Sequence, residues 1–277
     1  MQEIRQDLSR QFRGTKCDGF VCFQKKGKLL CMISTVQKYG GNMKINVNKP
    51  EELIIDIVEW DIRNWWRAIE YWEETHQFDD VKGKVVLDIG GRGGGLSLYW
   101  ALKGAAVICS DVNENGFVKA KILHKKYGVE GQIKYQVIDA TEIPYQEEFD
   151  IICFKSVLGG VGYDNNYCRQ KKMMESIYLA LKEKGKLCFC ENMVASPLHQ
   201  FARKRFTGWG SRWRYVNCTE IRELTKEFSE TQFQTFGFLG VFGRKKWLSE
   251  IFGNLDGRFD KYVRDKSKYI VSCVCSK

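Results

Sequence analysis

The stretch from Lys84 to Ser97 constrains the fold of this chain more than any other part of the sequence. Val85 to Asp88 is typical of a buried strand that ends in an acid, and an apolar segment from Leu96 to Leu102 opens a helix. Between them lie five glycines in six positions: Gly90, Gly91, Gly93, Gly94 and Gly95. Glycine permits positive φ angles and lacks the Cβ that blocks a close approach. This order predicts a ligand site lined by backbone, because a flexible linker has no reason to lie between a buried strand and an apolar helix.

The pattern of this turn separates two classes of ligand. A dinucleotide fold requires G-x-G-x-x-G, which no frame supplies because Arg92 or Leu96 falls in a glycine position. The stretch instead resembles motif I, D/E-x-G-x-G-x-G, of the class I S-adenosylmethionine-dependent methyltransferases. Asp88, Gly90 and Gly94 match that motif, and Arg92 stands where its middle glycine usually lies. S-adenosylmethionine carries a cationic sulfonium and an ammonium but no phosphate, so an acid at the end of the strand suits it.

Acids also follow the next two predicted strands. The second strand, Ala105 to Ser110, ends at Asp111, which lies 23 residues beyond Asp88, close to the spacing at which a second-strand carboxylate meets ribose hydroxyls. The alternative role is an N-cap for the following helix, and one residue can serve both purposes. The third strand, Ile133 to Ile138, runs into residues 139–144, Asp-Ala-Thr-Glu-Ile-Pro. This segment resembles the family's D-A-x-x-(I/L)-P motif, in which the acid faces the adenine amino group.

Two further strands complete the parallel part of the predicted sheet. The fourth, Phe149 to Phe154, leads into residues 155–160, Lys-Ser-Val-Leu-Gly-Gly, and resembles the family's F-D-x-I stretch, whose end approaches the methionine moiety. A helix then ends at Gly185, in a turn that resembles the family's L-K-P-G-G without its proline. The fifth strand, Leu187 to Cys190, ends at Glu191.

The remaining chain predicts how the sheet closes. Thr219 to Phe228 indicates a helix, and Thr231 to Val241 and Lys268 to Val274 indicate two strands. Together with four motifs at successive strand ends, this pattern predicts an α/β, Rossmann-like methyltransferase fold. We expect a mostly parallel seven-stranded sheet with helices on both faces, an N-terminal extension, and a lid insertion after the fifth strand.

The domain organisation follows from the same pattern. Residues 1–80 are predicted to form an N-terminal extension or cap, and residues 81–277 the methyltransferase domain, with a substrate-side insertion at 193–217. The cap contains one long helix that starts at Pro50 and carries an apolar stripe through Trp72. In this family the helix before the first strand covers the cofactor. The resemblance implies S-adenosyl-L-methionine as the cofactor and these contacts: Asp88, Gly90, Gly91, Gly94, Asp111, Val112, Asp139, Ala140, Lys155 and Trp65.

Composition and charge limit the setting. The formal net charge is +10, concentrated in residues 1–50, at net +7, and 193–217, at net +5. Such charge indicates an anionic partner or simply a solvated basic face. The first 30 residues contain no apolar signal-peptide core, and no apolar run is long enough to span a membrane. Eleven cysteines, several alternating along apolar strands, predict reduced thiols in a cytoplasmic protein. Their spacing, with only three histidines, predicts no metal site.

The methyl acceptor should bind where the chain departs most from a generic sheet. In the insertion, arginines alternate with aromatic residues, a composition that suits a phosphate or carboxylate beside a sugar or base. The alternative is a cover helix with solvated cations. The candidate acceptor residues are Arg203, Arg205, Trp209, Arg212, Trp213 and Arg214. The sequence therefore predicts O-methylation of a small anionic or glycosyl acceptor, such as a glycan precursor. An RNA methyltransferase acting on nucleic acid, and a catalytically silent cofactor-binding module, are the alternatives.

A hydroxyl acceptor needs a base to take its proton. His199 lies on the insertion, and an ordinary histidine pKa of about 6.5 suits this role at neutral pH. Glu191, at the tip of the fifth strand, is the rival catalytic candidate. His76 and His124 are predicted to occupy ordinary surface positions.

Overall fold

The computed structural model describes residues 16–17, 20–21, 50–76, 78, 81–206, 210, 212–243 and 246–277. It divides into two compact units, Met1–Pro50 and Glu51–Lys277. In the first unit, Lys16–Cys17 (β1) pairs antiparallel with Phe20–Val21 (β2), and the rest of the predicted extension lies outside the described residues. This division falls at Pro50, so the Trp-rich segment 51–76 belongs to the second unit, and the predicted boundary at residue 80 stays a prediction about domain organisation.

The second unit is built on one seven-stranded sheet in the order β5-β4-β3-β6-β7-β9-β8. Neighbouring strands from β5 to β7 are parallel, and β9 runs antiparallel to both of its neighbours. This arrangement confirms the predicted fold class. The strands are β3 (Val85–Ile89), β4 (Ala106–Asp111), β5 (Ile133–Val137), β6 (Phe149–Lys155), β7 (Leu181–Asn192), β8 (Glu230–Phe236) and β9 (Ile270–Ser276).

Helices cover both faces of the sheet, because alternate residues of its central strands point to opposite sides. Leu87 and Ile152 face a core that includes residues of α5, α6 and α8. On the opposite face, Asp88 bonds to Ser97 of α3, and the Ser272 hydroxyl donates to a backbone carbonyl of α2. The helices are α1 (Pro50–Val58), α2 (Ile62–His76), α3 (Gly95–Leu102), α4 (Phe117–Lys126), α5 (Leu158–Val161), α6 (Tyr167–Ala180), α7 (Pro197–Phe206), α8 (Cys218–Leu224) and α9 (Lys246–Phe259).

The helical region before the sheet differs from the prediction. Instead of one helix from Pro50 through Trp72, the chain forms α1 and α2 with a break between them. Glu59 and Asp61 take positive φ angles of 70° and 43°, which end the first helix and re-aim the second. Trp60 therefore belongs to neither helix and lies in the break between them.

Two smaller differences concern the ends of elements. Gly185 does not end the preceding helix, because α6 stops at Ala180 and β7 begins at Leu181. The positive φ of 63° falls on Lys184, inside an irregularity of the β6–β7 pairing. Within the described parts of the chain, no helix is long and apolar enough to cross a membrane. The same described parts contain no group of three or more metal-ligating side chains.

Candidate active site

The glycine turn after β3 is held by hydrogen bonds at both of its ends. Asp88 is 1% exposed, and its Oδ2 accepts a hydrogen bond of 2.6 Å from the Ser97 hydroxyl of α3. Burial raises the pKa of Asp88 to about 7. On the other side of the turn, the Gly91 amide donates to the Ser110 carbonyl of β4 at 2.8 Å. These bonds fix the turn at the carboxyl edge of the sheet, where open α/β folds bind ligands.

Two of the glycines are required by close packing. Gly94 has a φ of 86°, and a Cβ there would lie 2.5 Å from Nε2 of His124. That ring nitrogen is 2.9 Å from the Gly94 carbonyl, and His124 is fully buried, so the predicted surface position for His124 is wrong. A Cβ at Gly95 would lie 2.2 Å from the Ile57 carbonyl, so α3 packs directly on the backbone of α1. Gly94 and Gly95 are therefore needed for the conformation of the turn and for its close packing against His124 of α4 and the backbone of α1.

A cleft opens between this turn and the α1–α2 break. Its lining residues are Ile57, Glu59, Trp60, Asp88, Gly90, Gly91, Arg92, Gly95, Leu96 and Lys155. Lys155, the last residue of β6, donates a hydrogen bond of 2.8 Å to the Val58 carbonyl. Its Nζ lies 3.3 Å from the centroid of the Trp60 ring, a cation–π contact. Burial lowers the pKa of Lys155 to about 8.

The lining of the cleft holds two carboxyl groups, Asp88 and Glu59, and two cations, Arg92 and Lys155, which suits a ligand that carries charges of both signs. Asp88 and Glu59 supply two carboxylates, and the Trp60 ring presents a face on which the Lys155 ammonium already lies. A sulfonium or a second ammonium is attracted to the same carboxylates and to the same kind of ring face. The glycine turn leaves backbone, with no side chain, at the floor of the cleft.

The two acids of the neighbouring strands lie at the same edge of the sheet. Asp111 ends β4, and its Oδ2 accepts a hydrogen bond of 3.3 Å from the Arg92 amide. Asn113 rather than Asp111 caps the following turn, by accepting a bond of 3.0 Å from the Asn115 amide. Val112, next to Asp111, is 63% exposed. The helix-cap alternative for Asp111 is therefore wrong, and its carboxylate remains available beside an open apolar surface.

Asp139 is more strongly engaged than Asp111. Its Oδ1 accepts hydrogen bonds of 2.8 Å from both the amide and the hydroxyl of Thr141, and Oδ2 pairs with Arg169 at 3.2 Å. Burial opposes ionisation of Asp139, but these bonds outweigh it and lower the pKa of the carboxyl. Ala140 beside it is 7% exposed.

The tryptophan that lines the cleft is not the one predicted. Trp65 is 1% exposed and packs edge-on against Trp60, with ring centroids 6.0 Å apart. It therefore stabilises the position of Trp60 and is not itself a lining residue. Trp60 itself faces the cleft, although helical spacing places it off the apolar stripe. Glu59 and the side chain of Arg92 are further lining residues that sequence reasoning missed. No proline or glycine lies in the α1–α2 break, so the sequence contains no clear signal that the residues of this break line the cleft.

A second cavity lies within the insertion that follows β7. Its lining includes four cationic residues and no carboxylate. The lining residues are Asn165, Val194, Gln200, Arg203, Lys204, Gly210, Arg212, Trp213, Arg214 and Tyr215. Of the predicted acceptor residues, Arg205 is exposed on α7 and does not line the cavity, and Trp209 lies outside the described residues.

The arginines of this cavity also hold the insertion together. Arg212 makes hydrogen bonds of 3.1 and 3.0 Å to Asp164, and Arg214 binds Gln170 at 2.7 Å and also Glu220. Arg203 donates to the Met193 and Val194 carbonyls at 2.6 and 3.1 Å. Their guanidinium groups are thus already part of the structure. Lys204, the fourth lining cation, is exposed on α7 and makes no ion pair with another described residue.

Tyr215 is a polar lining residue that sequence reasoning missed. Its hydroxyl oxygen is buried and has no hydrogen-bond partner among the described residues. The Arg203 guanidinium lies 3.9 Å from the centroid of its ring. A buried hydroxyl without a partner is costly unless a ligand or water completes it, so this atom marks a polar contact point in the cavity.

The insertion is seated on the segment that follows β6. The Arg214 amide donates to the Gly159 carbonyl at 3.1 Å, and the Asp164 amide to the Arg212 carbonyl at 3.0 Å. A Cβ at Gly159 would lie 1.7 Å from Nε1 of Trp213, so the indole lies directly on this glycine. Lys155, the last residue of β6, lines the cleft. Gly159, four residues later, contacts Trp213 in the wall of the insertion cavity.

Neither predicted base is free to act as one. His199 is 1% exposed, and its ring nitrogens lie 2.6 Å from the Ser196 hydroxyl and 2.8 Å from the Phe238 carbonyl. Burial lowers the pKa of His199 to about 4. These contacts anchor α7 to the turn that follows β8. The geometry therefore gives His199 a structural role and does not support it as a catalytic base.

Glu191 is likewise occupied. Its Oε2 accepts the Val157 and Leu158 amides at 2.8 and 2.7 Å, and its Oε1 accepts the Asn192 amide at 2.7 Å. Burial raises the pKa of Glu191 to about 7, although these N–H donors favour its ionised form. The carboxylate fixes the loop between β6 and α5, and this geometry makes it a positioning group.

Comparison with known proteins agrees with the geometry. A family model described as a methyltransferase domain matches residues 80–238. The ubiquinone biosynthesis O-methyltransferase of Azotobacter vinelandii is 28% identical over 99 residues, which cover 32% of this chain and 43% of that protein. The chain thus matches less than half the length of this relative.

Solved structures share the fold at low sequence identity. A phosphoethanolamine N-methyltransferase 2 from Haemonchus contortus, in complex with phosphomonomethylethanolamine and S-adenosylhomocysteine, has a TM-score of 0.54 and 17% identity. The match covers 77% of this chain and about half, 52%, of that one. A protein described as possibly exported, from Bordetella parapertussis, has a TM-score of 0.56 and 14% identity, and covers 100% of this chain and 93% of its own. Because the family match spans more than half of the chain and includes every strand-end motif, the chain belongs to the methyltransferase-domain family.

Proposed function

We propose that this enzyme O-methylates a small anionic or glycosyl acceptor bound in the insertion cavity. The observation that carries the proposal is a cavity lined by four cations and no carboxylate, together with the unpartnered hydroxyl of Tyr215. An anionic group is attracted to this net positive charge, and a ring suits the aromatic side chains beside it. The relative from Azotobacter is named an O-methyltransferase, and the neighbour from Haemonchus was solved with a phosphorylated ligand, which supports this direction.

Within the proposal, the cofactor occupies the cleft between the glycine turn and the α1–α2 break. Bound S-adenosylmethionine supplies a methyl group on a positively charged sulfur. Asp88, Glu59 and the Trp60 face favour that charge, and Lys155 provides a cation for the carboxylate of the methionine moiety. Asp111 accepts hydrogen bonds from the ribose hydroxyls, because a carboxylate can accept from both.

The adenine belongs at the ends of β4 and β5. Val112 offers the exposed apolar surface beside the ribose site, and Ala140 the small buried contact next to Asp139. Asp139 faces the adenine amino group through Oδ2, the oxygen that pairs with the half-exposed Arg169. Gly90 and Gly91 leave the floor of the cleft open to the ligand.

The residues of the insertion orient the acceptor. Lys204 attracts the anionic group of the acceptor, the arginines hold the wall of the cavity in place, and the Tyr215 hydroxyl donates to one of the acceptor's oxygens. Trp213, seated on Gly159, closes the wall next to the end of β6 and excludes water. Methyl transfer by direct displacement requires such alignment rather than a covalent nucleophile of the enzyme.

Replacing Lys204 by methionine tests the anionic acceptor. In a screen of glycosyl acceptors offered in phosphorylated and dephosphorylated forms, we expect the phosphorylated form to be methylated faster. For that acceptor, Lys204→Met should raise KM by about three- to tenfold, because an exposed charge-assisted contact is worth about 1 kcal/mol. The Kd of S-adenosylmethionine should not change.

The matched control is Lys119→Met, which removes another exposed lysine, from α4, away from the cavity lining. A KM that rises equally in both variants reports only the loss of net charge. A preference for the dephosphorylated acceptor, with KM unchanged in Lys204→Met, contradicts an anionic acceptor at this cavity.

A further inference from the structure

Apolar side chains are exposed on three neighbouring elements beside the insertion cavity. They belong to α7, to the turn Gly240–Phe242 and to the first half of α9. Their exposed fractions range from 43% to 64%. We call this set the α7–α9 face; its apolar members are Leu198, Phe201, Val241, Trp247 and Ile251. Large exposed aromatic and aliphatic groups gathered on adjoining elements are typical of an interaction surface.

Packing shows that the three elements adjoin. The His199 ring on the inner side of α7 lies 4.8 Å from the Phe242 ring, measured between centroids. A Cβ at Gly243 would lie 2.4 Å from the Cα of Ser249, so the same turn also packs against the start of α9. Along α9, Trp247 and Ile251 are four residues apart and therefore share one side of the helix.

The charges around these apolar residues are mostly positive. Helix α7 contains three basic residues and no acid, and Lys204 is exposed on it. Among the described residues 247–266, the lysines and arginines Arg258, Lys261, Arg264 and Lys266 are exposed, against four acids of which Glu250 and Asp265 are exposed. Two of those acids, Asp256 and Asp260, are buried, whereas Arg258 is exposed seven residues after Ile251, on the same side of α9. Apolar and aromatic residues with surrounding cations form the pattern of helices that lie in the interface of an anionic bilayer.

We propose that the α7–α9 face docks on the surface of a bilayer that contains anionic lipid. Charge complementarity favours this occupant, since a zwitterionic surface would leave the surrounding cations without counter-charges. Exposed tryptophan and phenylalanine are the side chains that bilayer interfaces accommodate best. A second copy of this chain is the alternative occupant, and sedimentation of the parent and of the double variant distinguishes it from a bilayer.

Docking at this face has a consequence for the acceptor, which rests on the proposed function. Helix α7 has Leu198 and Phe201 on its exposed side, while Gln200, Arg203 and Lys204 line the insertion cavity. A cavity whose wall is the docking helix opens next to the bilayer surface. The acceptor class that fits is an amphiphile, with a polar, anionic headgroup in the cavity and an apolar chain along the membrane.

Vesicle co-sedimentation of the full chain tests the docking itself without cofactor or acceptor. We expect the protein to bind vesicles of phosphatidylcholine mixed with phosphatidylglycerol and to remain in solution with phosphatidylcholine alone. Binding should weaken as salt is raised, because exposed charges are screened. Phe201→Ser with Trp247→Ser should lower the partition coefficient by at least about tenfold. Arg258→Gln should lower it by about fivefold, the effect of one cation near an anionic surface.

The control variant is Val118→Ser with Ile122→Ser, which removes two residues of α4 that are 67% and 68% exposed and have lysines beside them. It should bind the mixed vesicles like the parent. Equal loss in both double variants, equal binding to both kinds of vesicle, or no binding at all overturns the proposal. If the parent sediments as a dimer and the Phe201→Ser, Trp247→Ser double variant sediments as a monomer, the face binds a second copy of this chain. That result also overturns the proposed bilayer docking. Vesicle binding without methyl transfer would refute the proposed acceptor but not the docking surface.

Discussion

Gly159→Ala is expected to abolish most acceptor turnover while leaving the cofactor bound normally. A Cβ at this position would lie 1.7 Å from Nε1 and 2.4 Å from two further ring atoms of Trp213. The indole cannot stay in place, and the wall of the insertion cavity must move with it. Because a displacement of about 1 Å can cost on the order of a hundredfold in rate, we expect kcat/KM for the acceptor to fall by about that factor. The Kd of S-adenosylmethionine should change by less than about twofold, since neither Gly159 nor Trp213 lines the cleft.

Gly160→Ala provides the matched control. Its Cβ would lie 3.2 Å from the nearest atoms of the same indole, a contact that a small shift relieves. Both variants should unfold cooperatively, and steady-state kinetics with calorimetric titration measures the difference. Equal kcat/KM in the two variants, or loss of cofactor binding in Gly159→Ala alone, would show that Trp213 does not shape the acceptor cavity.

Glu191→Ala is expected to destabilise the enzyme strongly. The substitution leaves the amides of Val157, Leu158 and Asn192 without the carboxylate that they bind. Each buried donor left unsatisfied costs about 1–3 kcal/mol, so the loss should reach at least about 3 kcal/mol. For a chain of this size, that loss corresponds to a fall in Tm of about 6–12 °C in thermal unfolding.

A catalytic role for Glu191 makes a different prediction. If its carboxylate took the acceptor proton, Glu191→Ala would lose kcat while its Tm stayed close to that of the parent. Glu223→Ala serves as the reference, because this carboxylate is exposed and pairs with Lys226 at 2.9 Å. Its removal should change stability by no more than about 0.5 kcal/mol.

The sheet could be predicted because its signals are local. Each buried strand is a short apolar run, and Asp88, Asp111 and Asp139 mark the strand ends where the chain turns. Parallel strands bring those ends to one edge, so the order of the motifs was enough to place the cofactor acids together. The conformation of the glycine turn likewise needs little more than the absence of side chains.

The roof of the cleft and the roles of the basic residues depend on long-range packing instead. Nothing local in Glu59–Asp61 breaks a helix, yet the first helix packs against Gly95 through the Ile57 carbonyl and ends directly afterwards, with positive φ angles at Glu59 and Asp61. His199 looked like an available base because sequence does not show its two hydrogen bonds. In the same way, Arg212 was predicted to bind the acceptor, but its guanidinium binds Asp164, 48 residues away in the sequence, and stabilises the insertion.

S-adenosylmethionine is proposed to bind at the edge of the sheet with its ribose on Asp111. Calorimetric titration of the parent, Asp111→Ala and Glu114→Ala tests it most directly, because Glu114 is an exposed acid three residues further along and controls for charge. We expect binding of S-adenosylmethionine but not of NAD to the parent and to Glu114→Ala. In Asp111→Ala, loss of a charge-assisted hydrogen bond worth on the order of 1.5–3 kcal/mol should weaken binding by at least about tenfold. Tight binding of NAD, or equal S-adenosylmethionine affinity in all three proteins, would show that Asp111 does not hold the ribose of this cofactor.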